Sequence, residues 1–468
     1  MRLAAAVIGF LLFTTSQVAT AKPPVEAFGE ALAVRNVELS ETGRLVGFLN
    51  RFGETDHVVV YDFATGESRS LLALENVRAR DLRFVGDKYL VVVASKLAEL
   101  RSYRGRWEHS IAYSIDLESG KALPLLRGTE RLYPAQEGLG RIVAVDDDGE
   151  HVYMPAFRGD QTNTPSYDVI KVNLRSGRGL TSGDIPGQDN THDWIVDGDG
   201  KVLAREDYDE RNRLHEIRVY DGRRSNAIYS KQTDIPEVAL TGVSASGDKL
   251  MLVGAGGSEF LSLYELDVND GSISGPVLQR DDADIEGVVI DENRVVLGVQ
   301  YSGMRPTYEM FDPEITSAIA SVQEAIPNAS VFLSSWSQDF SKLLFYVTGG
   351  LAPERYYVFD RTSAQFTQIA AARPEITEAD VGEVMTIEYK STDGLTIPAE
   401  TLTFVLEGMV ANLLDGGPAV ICASFVDSLA CQAVALLMIG NVAGALELVT
   451  GLLDLIGGLP ILGELLTE

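Results

Sequence analysis

Cysteine and histidine are scarce in this 468-residue chain, which has two of the first and five of the second. Both cysteines, Cys422 and Cys431, lie far downstream, which excludes a disulfide-built scaffold and a cysteine-rich zinc site. The histidines His57, His109, His151, His192 and His215 are too widely spaced for a helical His-x-x-x-His metal pair. Positive charge is short as well. Thirty-nine Lys and Arg face 68 Asp and Glu, a net charge of -29 that would repel a phosphate backbone over most of the surface. Nucleic acid is therefore not an expected partner. What is present is 45% hydrophobic and 23% charged residues, the balance of a packed globular protein. The length allows two to four ordinary domains, or one large repeat array with an appendage.

The first residues read as an export signal. Arg2 supplies the positive region, Leu3 to Phe13 is an 11-residue apolar run, and Ala19-Thr20-Ala21 fits a small-x-small cleavage site. The alternative, an uncut membrane anchor, is disfavoured because the run covers only half of the roughly 20 residues that span a bilayer. Residues 1–21 are thus expected to be removed, with a mature start at Lys22 and a periplasmic or secreted destination.

Beyond them the chain repeats. An Asp or Asn closing an apolar run, usually with Gly four positions later, recurs as Asp62 with Gly66, Asp116 with Gly120, Asn173 with Gly177 and Asp267 with Gly271. Weaker copies stand at Asp221-Gly222, Asp312-Pro313 and Asp360, so that successive anchors lie 45 to 57 residues apart. A second set of polar turns interleaves with the first, at Gly43, Gly86, Gly149, Gly200, Gly247, Asn293 and Ser341. Each of these precedes a strand-like run such as Tyr89-Leu90-Val91-Val92-Val93. Asp and Asn side chains bond their own backbone two residues on and Gly accepts positive φ, so the first set marks tight hairpins. A unit of about 40 to 50 residues with four strands is a propeller blade. Two independent sets that both count seven predict a seven-bladed β-propeller over residues 22–383, in preference to a generic β-sandwich.

Several motifs look chemical and have plainer readings. Asp146-Asp147-Asp148-Gly149 and Asp197-Gly198-Asp199-Gly200 resemble the start of a calcium loop, but position 12 counted from Asp197 is Tyr208 rather than an acid. Both fall at repeat anchors and read as solvated turns. The cluster Glu206-Asp207-Tyr208-Asp209-Glu210 would suit a peptide's free amine if it faced a channel, yet its place between two strand-like runs predicts a hairpin tip. His57, His109 and His151 stand at strand starts, and the histidines are read as structural.

Residues 384–399 read Val-Met-Thr-Ile-Glu-Tyr-Lys-Ser-Thr-Asp-Gly-Leu-Thr-Ile-Pro-Ala. Through Tyr389, Ser391, Asp393, Gly394, Ile397 and Ala399 this segment resembles the strand pair that opens the catalytic domain in the prolyl oligopeptidase family of serine peptidases. Pro353 to Asp360 is similar to the last blade of its bacterial members. The resemblance implies a propeller that admits peptides to an α/β-hydrolase domain with a Ser, Asp and His triad. This sequence departs from that pattern. It contains no Gly-x-Ser-x-Gly elbow and no histidine after His215, and 69 residues follow Ala399 where a hydrolase sheet with its helices takes roughly 200. Leu414-Asp415-Gly416-Gly417-Pro418 faintly resembles the family's His-Gly-Gly-Pro oxyanion segment, with Asp in place of His, and reads as a glycine-rich turn. No catalytic, cofactor-binding or metal residue is assigned.

From Thr401 the composition shifts. Lys390 is the last cation, and Ser428 to Leu446 is a 19-residue uncharged stretch of transmembrane length. Three readings stand: a membrane- or partner-binding helical hairpin, a helical cap, or an end altered by truncation or a frame change, which the abruptness of the shift favours. The expected architecture is therefore all-β, a seven-bladed propeller followed by a hydrolase-like strand pair at 384–400 and a short, apolar, helical tail at 401–468. Two functions are carried forward. One is the substrate-gating propeller of an exported peptidase-like protein, inactive as this chain and admitting peptides to its channel; the other is a non-catalytic binding propeller tethered to a membrane or protein through 428–446.

Overall fold

The computed structural model describes residues 23–402 apart from 100–104, 135, 137, 161–163, 181–185, 351, 383 and 393. The expected export signal, the tail beyond Leu402 and its 428–446 stretch lie outside the described residues. Seven antiparallel sheets follow one another along the chain, each built from consecutive strands. Blade 1 is Val34–Leu39, Leu45–Phe52, Thr55–Asp62 and Glu67–Leu74, and blade 7 is Ser330–Trp336, Lys342–Gly349, Ala352–Asp360 and Gln365–Ala371. The inner strands of blades 2 to 6 are Arg78–Val85, Ala144–Val145, Thr191–Val196, Val238–Val243 and Ile285–Ile290.

The second strand of each blade shows why the ring forms. Tyr89, Leu90, Val91 and Val92 are all buried although they point alternately to opposite faces. Leu90 and Val92, with Phe84 of the same blade, pack toward Leu49 and Val58 of blade 1, whereas Tyr89 and Val91 pack toward blade 3 with Val152 and Met154. A sheet that is apolar on both faces needs a neighbour on each side. Seven hydrophobic clusters fill the seven gaps between consecutive blades, the last joining blade 7 to blade 1 through Leu344, Tyr356 and Val358 against Val37, Leu39 and Val46.

The sequence anchors sit where expected except for Asp312 in blade 6. Gly43, Gly86, Gly149, Gly200, Gly247, Asn293 and Ser341 each lie between the first and second strands of a blade. At the outer hairpins the Asp or Asn carboxamide or carboxylate accepts from the turn backbone, as Asp62 Oδ1 does from Ala64 N–H at 2.8 Å. The carbonyl of Asp62 then accepts from Gly66 N–H at 2.8 Å, with Gly66 at φ +72°.

Blade 6 departs from the four-stranded expectation. Asp312 does not start a hairpin: its Oδ1 accepts from Glu314 N–H at 2.8 Å and caps the helix Pro313–Ala325. Asp-Pro serves a helix start as well as a turn, because Pro at the first helical position gives up an N–H that has no partner there. Ile315, Ile319 and Val322 recur at helical spacing and bury the face that takes the place of a fourth strand.

The acidic cluster is a second correction. Val202–Asp209 is a strand, so that only Glu210 falls in the hairpin turn. Asp207 is buried, ion-paired to Arg205 at 2.7 Å and accepting from Thr191 Oγ1 at 2.7 Å. Glu206 accepts from or shares a proton with His215 Nε2 at 2.8 Å. These acids stay in the sheet because partners on their own and adjacent strands satisfy them.

Among the described residues no strand is shared between blades 7 and 1, and packing and a few bonds join them. Ala33 N–H donates to Ala372 O at 2.8 Å, Leu39 N–H to Ser335 Oγ at 3.0 Å and Lys342 Nζ to Gly43 O at 2.9 Å. Leu344 is fully buried in this seam. Leu344→Ala is expected to cost about 2 to 5 kcal/mol in urea-induced unfolding. A loss under about 1 kcal/mol would mean that the seam lies outside the cooperative unit.

Candidate functional site

The topology fixes two faces of the ring. Four antiparallel strands return the chain to the end of the blade where it entered, so the segments before Val34 and after Ala371 share one face. The turns between first and second strands occupy the other. Between the faces runs a channel lined by the seven inner strands.

On the turn-face side, between blades 1, 2, 6 and 7, the channel widens into a cavity of about 450 Å³. Its walls carry Glu38, Asp81, Arg83, Asp291 and Glu292, with Trp336 beside them. Burial pushes the Glu38 carboxyl up from 4.5 to about 8, against the pull of Arg83 and with help from Asp81. Asp291 and Glu292 are also raised, chiefly by loss of solvent and against Arg83, with Glu41 adding to the effect on Glu292. Their neutral forms are stabilised because one guanidinium does not offset several half-buried carboxyls. The cavity thus offers carboxyls held toward their neutral, hydrogen-bond-donating form, of which Glu38 changes charge near pH 8.

The far wall is built differently. The turn Asp291–Val295 of blade 6 leans across the channel, held by Val243 N–H to Arg294 O at 2.9 Å. Arg294 is buried and donates through Nη1 to Asp193 Oδ1 and Trp194 O, both at 2.8 Å, and through Nη2 to Thr241 O at 2.9 Å. Asn293 Oδ1 accepts from Val145 N–H of blade 3 at 2.8 Å. Arg141 meets the same Asp193 oxygen at 2.8 Å. Sequence reasoning found Asn293 as a turn anchor and missed Arg294, Asp193 and Arg141, whose ion-pair and carbonyl partners lie about 50 to 100 positions away.

The structure separates the histidines. His57 Nδ1 meets Ser70 Oγ at 3.4 Å near an exposed blade edge, against Phe52. His151 lies 2.6 Å from Asp148 and 3.0 Å from Asn173, His192 near Tyr208, and His215 is buried against Glu206 and Tyr229. His109 has both ring nitrogens buried without a hydrogen-bond partner. Asp146, Asp148 and His151 do come together, but Lys171 Nζ and Tyr153 Oη already engage Asp146 Oδ2. An ammonium therefore fills the place where a metal would need that oxygen. The Asp197 loop is a turn, its carbonyl accepting from Gly200 N–H at 2.9 Å.

The hydrolase-like strand pair is present as Val384–Lys390 and Thr396–Leu402, with Tyr389 opposite Ile397 and Gly394 at φ +90° in the turn. Ser424 and Leu414 to Pro418 lie outside the described residues.

Glu38 gives this channel a pH signature. Between pH 4.5 and about 8 the folded state holds a proton that the unfolded chain releases, so this group's contribution falls as pH rises through that window. Above it the native carboxylate is ionised in a poorly solvated site. Glu38→Gln should melt with the parent at pH 4 and about 2 to 4 °C above it at pH 9, read by thermal denaturation across pH. A constant difference at every pH would show that Glu38 titrates as an ordinary surface carboxyl.

No family model matches the sequence. The dipeptidyl aminopeptidase BIII of Pseudoxanthomonas mexicana is 24% identical over 295 residues, which is 61% of this chain and 40% of that relative's length. The chain thus spans about 40% of the curated relative it matches. A puromycin-hydrolysing peptidase of Mycobacterium tuberculosis superposes with a TM-score of 0.54 at 12% identity, over 82% of this chain and 60% of that one. An acylaminoacyl peptidase of Pyrococcus horikoshii gives 0.52 at 12% identity, over 80% and 58%. In fold, and along 295 residues of sequence, this chain is therefore similar to the propeller region of prolyl oligopeptidase-type peptidases.

Proposed function

We propose that this chain is the substrate-gating propeller of an exported protein of the prolyl oligopeptidase type, and that it carries out no peptide hydrolysis as these 468 residues. The observation that carries the reading is the passage from blade 7 into the strand pair Val384–Leu402. That pair bears Tyr389, Ser391, Gly394 and Ile397 at the place where a hydrolase domain would begin. Supporting it are the half-buried carboxyls of the channel, which suit a peptide passing end-on, and the N-terminal export pattern of Arg2, Leu3 to Phe13 and Ala19-Thr20-Ala21.

Inactivity follows from chemistry. Acyl transfer needs a nucleophile, a base in reach and oxyanion donors at about 3 Å. The sequence has no Gly-x-Ser-x-Gly, and its last histidine, His215, is buried within blade 4. Ser424, in Cys422-Ala423-Ser424-Phe425-Val426, lacks the elbow glycines.

The purified chain is expected to resist labelling by a fluorophosphonate probe and to leave prolyl, acyl-amino and dipeptidyl chromogenic substrates intact. Labelling abolished by Ser424→Ala would overturn this. Partition into detergent dependent on residues 428–446 would instead support a tethered binding propeller.

A further inference from the structure

We infer that the Asp291–Val295 turn is a crossbar that fastens blades 3, 4, 5 and 6 into one mechanical unit, leaving the ring to flex through blades 7, 1 and 2. Other inner turns bond at most to the adjacent blade, as Gln338 N–H does to Glu41 O, Thr42 to Asp87 and Asp147 N–H to Gly198 O. The turn of blade 6 reaches further: it bonds to blade 5 at Val243 and Thr241, to blade 4 at Asp193 and Trp194, and to blade 3 at Val145. Blades 3 and 6 are three places apart, the greatest separation a ring of seven allows.

A ring held only by neighbour contacts bends a little at every interface, and the bends add up. A chord between blades 3 and 6 closes a smaller loop of four bodies, within which bending at one interface must be matched at the others. The remaining path, through blades 7, 1 and 2, carries no such chord at this turn and borders the cavity of about 450 Å³.

The crossbar shows the marks of a built feature. Asp291 Oδ1 accepts from Asn293 N–H at 2.9 Å and from Val295 N–H at 2.8 Å, which fixes the turn before it reaches its neighbours. Arg294 takes φ +64°, a left-handed conformation that a non-glycine residue adopts at a cost, and this aims its guanidinium at Asp193. A Cβ at position 242 would overlap the Arg294 carbonyl oxygen, so Gly242 lets the turn close onto blade 5. The planar fork of Arg serves one carboxylate and three carbonyls together, which an ammonium would not reproduce. None of this depends on what the channel admits.

Hydrogen exchange on the full chain, read by mass spectrometry, tests the inference. In the parent protein the inner strands Thr191–Val196, Val238–Val243 and Ile285–Ile290 should exchange more slowly than Val34–Leu39, Arg78–Val85 and Ser330–Trp336. Arg294→Ala should speed the first group about tenfold and leave the second unchanged. Arg294→Gly, free of the left-handed strain, should do the same, and Arg294→Lys should not restore the parent pattern. If the variants fail to fold, the parent decides: exchange at equal rates in both groups overturns the crossbar, as does a folded Arg294→Ala or Arg294→Gly whose first group is unchanged.

Discussion

Everything in this molecule depends on sheets that are apolar on both faces. Such a sheet cannot be finished by adding strands at its edges, because its exposed surface lies above and below it. Each blade therefore presents the same demand to the next, and a closed ring is the arrangement that leaves no face uncovered. Leu90 and Leu344 express the rule in blades 2 and 7, where neighbours on one side and the other bury successive residues of a single strand. Closure then needs no shared strand, since the cluster between blades 7 and 1 is of the same kind as the other six.

That demand made the architecture readable in one dimension. Hairpins between strands need Asp, Asn or Gly at fixed offsets, so the anchors counted seven blades, and all seven inner turns lie between first and second strands. Where one residue pair satisfies two local rules, the reading failed. Asp312-Pro313 fits a turn and a helix start equally, and only the apolar spacing of Ile315, Ile319 and Val322 beyond it distinguishes them. The cluster at Glu206 to Asp209 misled for the opposite reason. Charge argues for exposure until the partners are known; Arg205 lies two positions from Asp207 on the same strand, but Thr191 and His215 become partners only once three strands lie side by side.

The channel was the least legible part. Glu38, Arg83 and Asp291 belong to three blades, and the cavity they share exists only after the ring closes. Arg294 is more extreme, because every group its guanidinium bonds comes from strands at least 50 positions earlier. A lone cation among Asp291, Glu292 and Asn293 looks like turn solubility in the sequence. In the fold its burial obliges it to find a carboxylate, and Asp193 answers.

These two classes of constraint explain how a shape persists at 12% identity to peptidases of known structure. Turn residues and two-faced apolar strands admit many substitutions, so the ring tolerates sequence change provided that pattern and volume are kept. Channel groups have no such freedom, since each buried charge is bound to a particular partner. Likeness in blade architecture consequently says little about chemistry, whereas the pairing of Arg294 with Asp193 and the unbalanced carboxyls around Arg83 belong to this chain's own channel. A relative that lacked Asp193 would strand the buried Arg294 guanidinium, whereas one that lacked Arg294 would leave Asp193 its ion pair with Arg141. The crossbar therefore requires its acceptor, and the joint presence of Arg294 and Asp193 marks a channel built on this plan more sharply than the number of blades.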